Sequence, residues 1–464
     1  MRYNSNWLQG VNELDPFESS FLKSGIRYLL CLSNKEGVDA SWLQCELTRL
    51  IADIDDMISS QLNAFLHHKT FQQMEARWRS LFLLSSLPLH KSKVKIKLLD
   101  MNWSDISNDL NQSYSVQASQ LYNKIGNLEL NLLGGEPFGT ICIDHFVSME
   151  LDEETGLDDI YTLDLMAKLG EILLCPFVLS VDDHFFSGTG AEWIADTKRI
   201  NKILQHEEYE AWQNFRLHPA SKFIGLVIPK VLIRQDYKNH KAKFIFNESH
   251  NPLFGNAVFA FAATLLIEFQ RVNWFGFLKA RNIKGNTGAI VNNDNAKRSA
   301  GYLAKPKTDI KLNDTKAKFY SEQGFIPLTC NYLTEKVYLY GNNSVFNAKG
   351  IRDKEVLSQL QITLLACRIA HYLKAQSRNM IASTMNANEC QNHLQRWIEG
   401  YTSNSSTSDE AVLAQYPLSK AKISVEESPN TQSFHCELRM VPQYHYDALA
   451  IEVFLTTKFE KGEK

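Results

Sequence analysis

His67, His68 and Glu75 are the residues of this chain whose types and spacing come nearest to a metal centre. Imidazole nitrogens and a carboxylate are the ligands of a hydrolytic zinc ion. The spacing argues against that use. Side chains at neighbouring helical positions point about 100° apart, so His67 and His68 cannot easily chelate one ion, and no HExxH motif accompanies them. A metal-dependent hydrolase stays as an alternative reading, with no metal ligands assigned. His371 has the chemistry of a general base, but no serine or cysteine nucleophile and no aspartate orienter can be assigned to it. A structural or interface histidine is the reading adopted. Gly188-Thr189-Gly190 begins like a dinucleotide loop. Trp193 stands where the third glycine belongs, and no clear βαβ unit surrounds it. No GxxxxGK(S/T) phosphate loop occurs in the sequence. No catalytic residue and no cofactor is expected, so the chain reads as a non-enzyme.

Composition points the same way. The 464 residues are 44% hydrophobic and 22% charged, ordinary for a globular chain with core enough for two or three domains. A formal net charge of -3 provides no basic footprint for nucleic acid. The eight cysteines form no CxxC motif and mostly lie in apolar runs. They read as buried free thiols in a reducing compartment. The N-terminus has no apolar signal-peptide core, and the longest apolar run, Ala257 to Ile267, is too short to span a bilayer. A soluble, cytoplasmic protein without membrane insertion is expected.

The elements that position these residues follow from hydrophobic periodicity. Leu43, Leu47, Leu50, Ile51, Ile54, Met57, Ile58, Leu62 and Phe65 recur at three- and four-residue steps, which predicts a helix whose broad apolar stripe packs on core or partner. Glu75 and Arg79 are spaced as a helical ion pair. Alternation with lysines predicts a strand over Val94 to Leu99, and Ser104 to Lys124 reads as a helix. Helices are also predicted at Leu163 to Leu174 and Gln361 to Ile381, and a strand at Pro176 to Val181. Residues 281 to 318 read as an exposed loop. At the C-terminus three runs alternate with period two. Ile423 and Val425 lie on one face of the first, Phe434, Cys436, Leu438 and Met440 on one face of the second, and Leu449, Ile451, Val453 and Leu455 on one face of the third. Such runs are strands with one buried face. The first two read as a hairpin, completed within the chain or by a strand from another chain at an open edge.

Several ordered blocks resemble a known family. They are Leu66-His67-His68 with Phe71, Glu75, Trp78 and Arg79; Phe223 to Arg234; Gly255-Asn256-Ala257; Gly324-Phe325-Ile326-Pro327-Leu328; Arg368 to Lys374, including His371, Tyr372 and Lys374; Leu394 to Tyr401 with Trp397; Tyr416 to Val425; and Glu437 to Tyr444. Together, over residues 41 to 458, they resemble the contractile-sheath large subunit of type VI secretion, the TssC/VipB family. The sequence departs from the family pattern at Lys69, Ser80, Ile143 and Phe254, and around residues 281–300.

The resemblance implies an α+β contractile-sheath fold: mixed sheets with flanking helices, and C-terminal strands that take part in an inter-subunit sheet. It implies an N-terminal and middle sheath domain over 41–320 and a C-terminal inner sheath domain over 321–464; before them, Phe17, Phe21, Ile26, Leu29 and Leu30 predict a short amphipathic helix in an N-terminal segment over 1–40. The implied partners are the small sheath subunit (TssB/VipA), copies of the chain itself in a helical assembly, the Hcp inner tube, a baseplate and a ClpV-type AAA+ unfoldase for disassembly. Ile423, Val425, Phe434, Cys436, Leu438, Ile451 and Val453 are the expected inter-subunit strand residues. The rival within the same class is a sheath-like or baseplate component of another contractile injection system.

Overall fold

The computed structural model describes residues 16–32, 40–90, 92–132, 134–151, 156–181, 183–188, 194–239, 246–248, 252–275, 290–291, 307–330, 337–348, 357–381, 386–403, 415–427, 433–443 and 453–460. The expectations placed on Gly190, Trp193, Leu449, Ile451 and most of residues 281–318 concern positions outside this set. The chain divides into two compact units. One comprises Met1–Gln72 and Asp236–Asn251, the other Gln73–Gln235 and Pro252–Lys464.

The first unit holds α1 (Pro16–Leu32), α2 (Ala40–Leu66) and a small antiparallel ribbon, Lys238–Asn239 with Phe246–Asn247. α2 is long because neither glycine nor proline interrupts it. It ends where the His67 N–H returns to the Asn63 carbonyl at 2.9 Å and the His68 N–H tightens onto Phe65 at 3.2 Å. The predicted stripe is there, but Leu47, Ile51, Ile54, Met57, Ile58 and Phe65 are exposed. α3 (Lys69–Ser86) begins in this unit and continues into the second.

The second unit is built on a six-stranded sheet. Its strands are β1 (Ile141–Val147), β2 (Phe177–Val181), β3 (Ile224–Ile228), β4 (Ile290–Val291), β5 (Ile326–Cys330) and β6 (Val337–Leu339), in the order β1-β2-β3-β5-β6-β4. The first four in that order run parallel, and β6 is antiparallel to both its neighbours. β2 and β3 are buried along their whole length, as continuous apolar runs in parallel sheets must be. Alternate residues feed opposite cores. Phe177, Leu179, Ile224 and Leu226 join one, with Ile160, Leu163 and Leu169 of α5 (Asp159–Leu173). Val178 and Val227 join the other, with residues of α6 (Val258–Val272) and α8 (Leu360–Ile381). An aromatic cluster of Phe185, Phe186, Trp212 and Phe325 fills the first core with edge-on and stacked rings.

Three expectations fail here. The described part of residues 281–318 is not an exposed loop: Thr308, Ile310, Leu312 and Ala317 are buried, and a helix, Asp314–Glu322, starts within it. Val94 to Leu99 runs without strand pairing among the described residues. Lys95 and Lys97 instead pair with Glu136 and Glu129. Ser104 to Lys124 is not one helix. α4 (Trp103–Gln112) ends at Ser113, whose backbone is extended, and a 3-10 turn and a π-helix (Asn123–Asn131) follow. The Asp109 carboxylate accepts the N–H groups of Gln120 and Leu121 at 2.9 Å, so the next helical turn starts against it. Serine and aspartate compete with helical hydrogen bonds in this way.

The C-terminal part fits the reading closely. α7 (Asp314–Glu322) precedes β5, and α9 (Ala387–Glu399) follows α8. Then β7 (Leu418–Glu427), β8 (Ser433–Pro442) and β9 (Val453–Glu460) form an antiparallel sheet in that order.

Candidate inter-subunit surface

The C-terminal sheet buries the face the alternation assigns to it. Ile423, Val425, Phe434, Cys436, Leu438, Met440 and Val453 all lie in the core, against Leu365 and Ile369 of α8 and Leu394 and Ile398 of α9. Of the seven side chains expected at an inter-subunit sheet, the six that are described are packed within their own chain. What this sheet can offer another chain is main chain at an edge, not these side chains.

The family-motif residues fall into three local arrangements. In the first unit, His67 Nε2 lies 3.1 Å from Glu248 Oε1, and the buried Glu248 carboxylate also accepts the Tyr237 N–H at 2.8 Å. Phe71 packs on Phe65 with ring centroids 4.3 Å apart. In the second unit, Glu75 accepts from Arg79 at 2.8 Å, the helical pair expected. It also accepts from both ends of the buried Arg234 guanidinium, at 2.8 and 3.3 Å, a contact that the spacing of 159 residues hides from the sequence. Trp78 is exposed, with Met74 and Phe82 on the same face of α3. Gly255 lies against Ile233, where an added Cβ would stand 2.6 Å from Cγ1. Asn256 donates to Asp144 at 3.1 Å and accepts the Val258 N–H at 2.9 Å, which caps the start of α6.

The third arrangement lies along α8. His371 Nε2 donates to the Leu173 carbonyl at the end of α5, at 3.1 Å, satisfying one of the carbonyls a helix end leaves open. Burial pushes its pKa down to about 4, with Arg368 and Lys374 adding to the shift. Lys374 donates to Asn131 at 2.8 Å, and Arg378 donates to the carbonyls of Leu130 and Leu132. These cations sit at the carbonyl end of the π-helix, where the dipole favours them. Tyr372 lies under the Arg368 guanidinium at 4.6 Å, and Trp397 meets Tyr401 edge-on at 5.6 Å. Each of these residues has a structural partner, and no motif residue converges with another on a reaction centre.

Among the described residues no three His, Cys, Asp or Glu side chains are placed to hold a metal ion. No helix among them is long and apolar enough to cross a membrane. Cys45 is a free but exposed thiol, contrary to the buried reading, and Cys142, Cys175, Cys367, Cys390 and Cys436 are free thiols as well. Burial raises the latter five above their ordinary range, Cys142 to about 12 and Cys436 to about 11.

Comparison with known proteins agrees with this architecture. The family described as "EvpB/VC_A0108, tail sheath N-terminal domain" matches residues 48–346. Its companion, "EvpB/VC_A0108, tail sheath gpW/gp25-like domain", matches residues 350–459. The type VI secretion system sheath protein TssC1 of Pseudomonas aeruginosa is 24% identical over 434 residues, covering 89% of this chain and 86% of the relative. Among solved structures, the sheath tail protein of Desulfitobacterium hafniense is 10% identical with a TM-score of 0.31, covering 66% of this chain and 63% of that one. The sheath tail protein Lin1278 of Listeria innocua is 11% identical with a TM-score of 0.34, covering 70% and 57%. This chain spans about three fifths of the length of those two proteins, and at such TM-scores their likeness adds nothing to the family match. Both halves of this sequence match in order, and the chain belongs to the VipB (EvpB/VC_A0108) tail sheath family, the large-subunit family of type VI secretion sheaths.

Proposed function

We propose that this chain pairs with a small sheath subunit and stacks with copies of itself into a helical sheath around an Hcp inner tube. Contraction of that sheath propels the tube and spike into a target cell, from a baseplate, and a ClpV-type unfoldase dismantles the contracted product. The reading extends to residues 321–464 as the inner sheath domain. The observation that carries it is the ordered match of both tail-sheath families over residues 48–459. A helical filament needs a heterologous contact that does not close on itself, and two features supply surface for one. The C-terminal sheet has main-chain edges, and α2 exposes an apolar stripe at four- and three-residue steps, Leu47, Ile51, Ile54 and Ile58. Exposed apolar stripes of that kind mark interaction surfaces, and we assign this one to the small subunit.

Co-purification tests the assignment. The chain co-expressed with its small sheath subunit is expected to retain it through size exclusion at equal stoichiometry. Ile54→Asp with Ile58→Asp, which replaces exposed side chains, is expected to lose the partner while keeping the circular dichroism and melting profile of the parent. Retention of the partner by the double variant would remove α2 from the interface.

A further inference from the structure

β7 is an edge strand, yet its outer edge is already occupied from within the chain. Antiparallel neighbours alternate between pairs that exchange hydrogen bonds and pairs that do not. In the register of β7 with β8, Ile423 opposite Leu438 and Val425 opposite Cys436, Ile423 and Val425 turn their N–H groups away from β8. Each meets a glutamine of α9. The Ile423 N–H donates to Gln395 Oε1 at 2.9 Å, and the Val425 N–H donates to Gln391 Oε1 at 3.2 Å. Gln395 Nε2 returns a bond to the Ala421 carbonyl at 3.2 Å. The spacing is the reason two side chains can stand in for a strand. Residues four apart on a helix rise about 6 Å, and residues two apart on a strand advance about 6.8 Å. Gln395 Nε2 also donates to Glu399 at 3.0 Å. A carboxylate only accepts, so Glu399 holds the amide with its oxygen toward Ile423. At the start of the strand, the Leu418 N–H donates to Tyr401 at 3.2 Å and its carbonyl accepts the Ser403 N–H at 3.0 Å.

We infer that Gln391 and Gln395 are an edge guard, sealing β7 against strand addition by another chain, which leaves β9 as the edge of this sheet for the inter-subunit pairing that the sheath reading already implies. An incoming strand at β7 would have to break these side-chain bonds for main-chain bonds of similar net worth, so it gains little there. Without them, the edge is a template for unwanted pairing. At β9 the alternation runs the other way. Phe434, Cys436 and Leu438 of β8 lie opposite Phe459, Thr457 and Leu455, and their main-chain groups turn toward β9. The intervening Phe454, Thr456 and Lys458 therefore direct main-chain groups outward. The seal on β7 stands on this geometry alone; the assignment of β9 rests on the sheath reading.

Hydrogen exchange at residue resolution on the isolated full chain, with light scattering, tests the seal. In Gln391→Ala/Gln395→Ala, the Ile423 and Val425 amides are expected to exchange about tenfold faster, as loss of one net hydrogen bond allows, and the protein to self-associate as its concentration rises. Gln391→Ala alone is expected to speed Val425 and spare Ile423, which general loosening would not do. Unchanged rates in both variants, or equal acceleration of both amides in the single variant, would overturn the seal. Assembly with the small subunit tests β9. The amides of Phe454, Thr456 and Lys458 are expected to become protected in tubes while Ile423 and Val425 keep their rates, and unchanged rates at the β9 positions would overturn that half. Failure to form tubes would count against the sheath reading and leave the seal to the isolated-chain result.

Discussion

His371 is held neutral in the fold, and that has a measurable pH signature. Its ring is buried, its Nε2 donates to Leu173, and its pKa falls to about 4. The unfolded chain protonates this ring near the ordinary value of about 6.5. Between these values the unfolded state binds the extra proton, so stability is full above about pH 6.5 and is lost as pH falls toward 4. The expected loss from this group alone is about 2 kcal/mol between pH 7.5 and pH 5. It is read as the difference in urea unfolding between the parent and His371→Gln, which cannot titrate there. Equal pH slopes for the two proteins would contradict a buried neutral ring. Glu75 carries a second residue-scale prediction. Glu75→Ala removes a carboxylate paired with the buried Arg234 guanidinium and is expected to cost about 3 kcal/mol. Arg79→Ala, at the half-exposed end of the same site, is expected to cost under about 1 kcal/mol. Paired unfolding curves decide this, and similar losses for the two variants would argue against it.

Among the elements, what the sequence discloses depends on whether the cause is local. The C-terminal strands were readable because burial of one face of a strand repeats every second residue, and Phe434, Cys436, Leu438 and Met440 keep that period without a break. α8 was readable for the corresponding helical reason. Val94 to Leu99 shows the limit of the same signal. Alternation reports an extended chain with one solvated face, and it contains no information on whether a second strand lies within hydrogen-bonding reach. The break after α4 turns on Asp109 reaching Gln120 and Leu121, a choice that composition permits but does not force. Partners distant in sequence are hidden altogether. Glu75 announces Arg79 four residues away and conceals Arg234. Nothing local in the sequence marks Gln391 and Gln395 as partners of β7 residues 26 to 34 positions away. Several motif residues take pairing and packing roles: Glu75 with Arg234, His371 with the Leu173 carbonyl, and Trp397 with Tyr401.

The molecule combines a C-terminal sheet whose described apolar side chains pack inside the chain with β9 as that sheet's outer strand and an α2 helix on which Leu47, Ile51, Ile54 and Ile58 are exposed. The measurement that tests the central claim most directly is electron microscopy of this chain co-expressed with its small sheath subunit. The account predicts long hollow tubes that contain both chains in equal numbers. Discrete soluble particles of this chain, with the small subunit unbound, would contradict it.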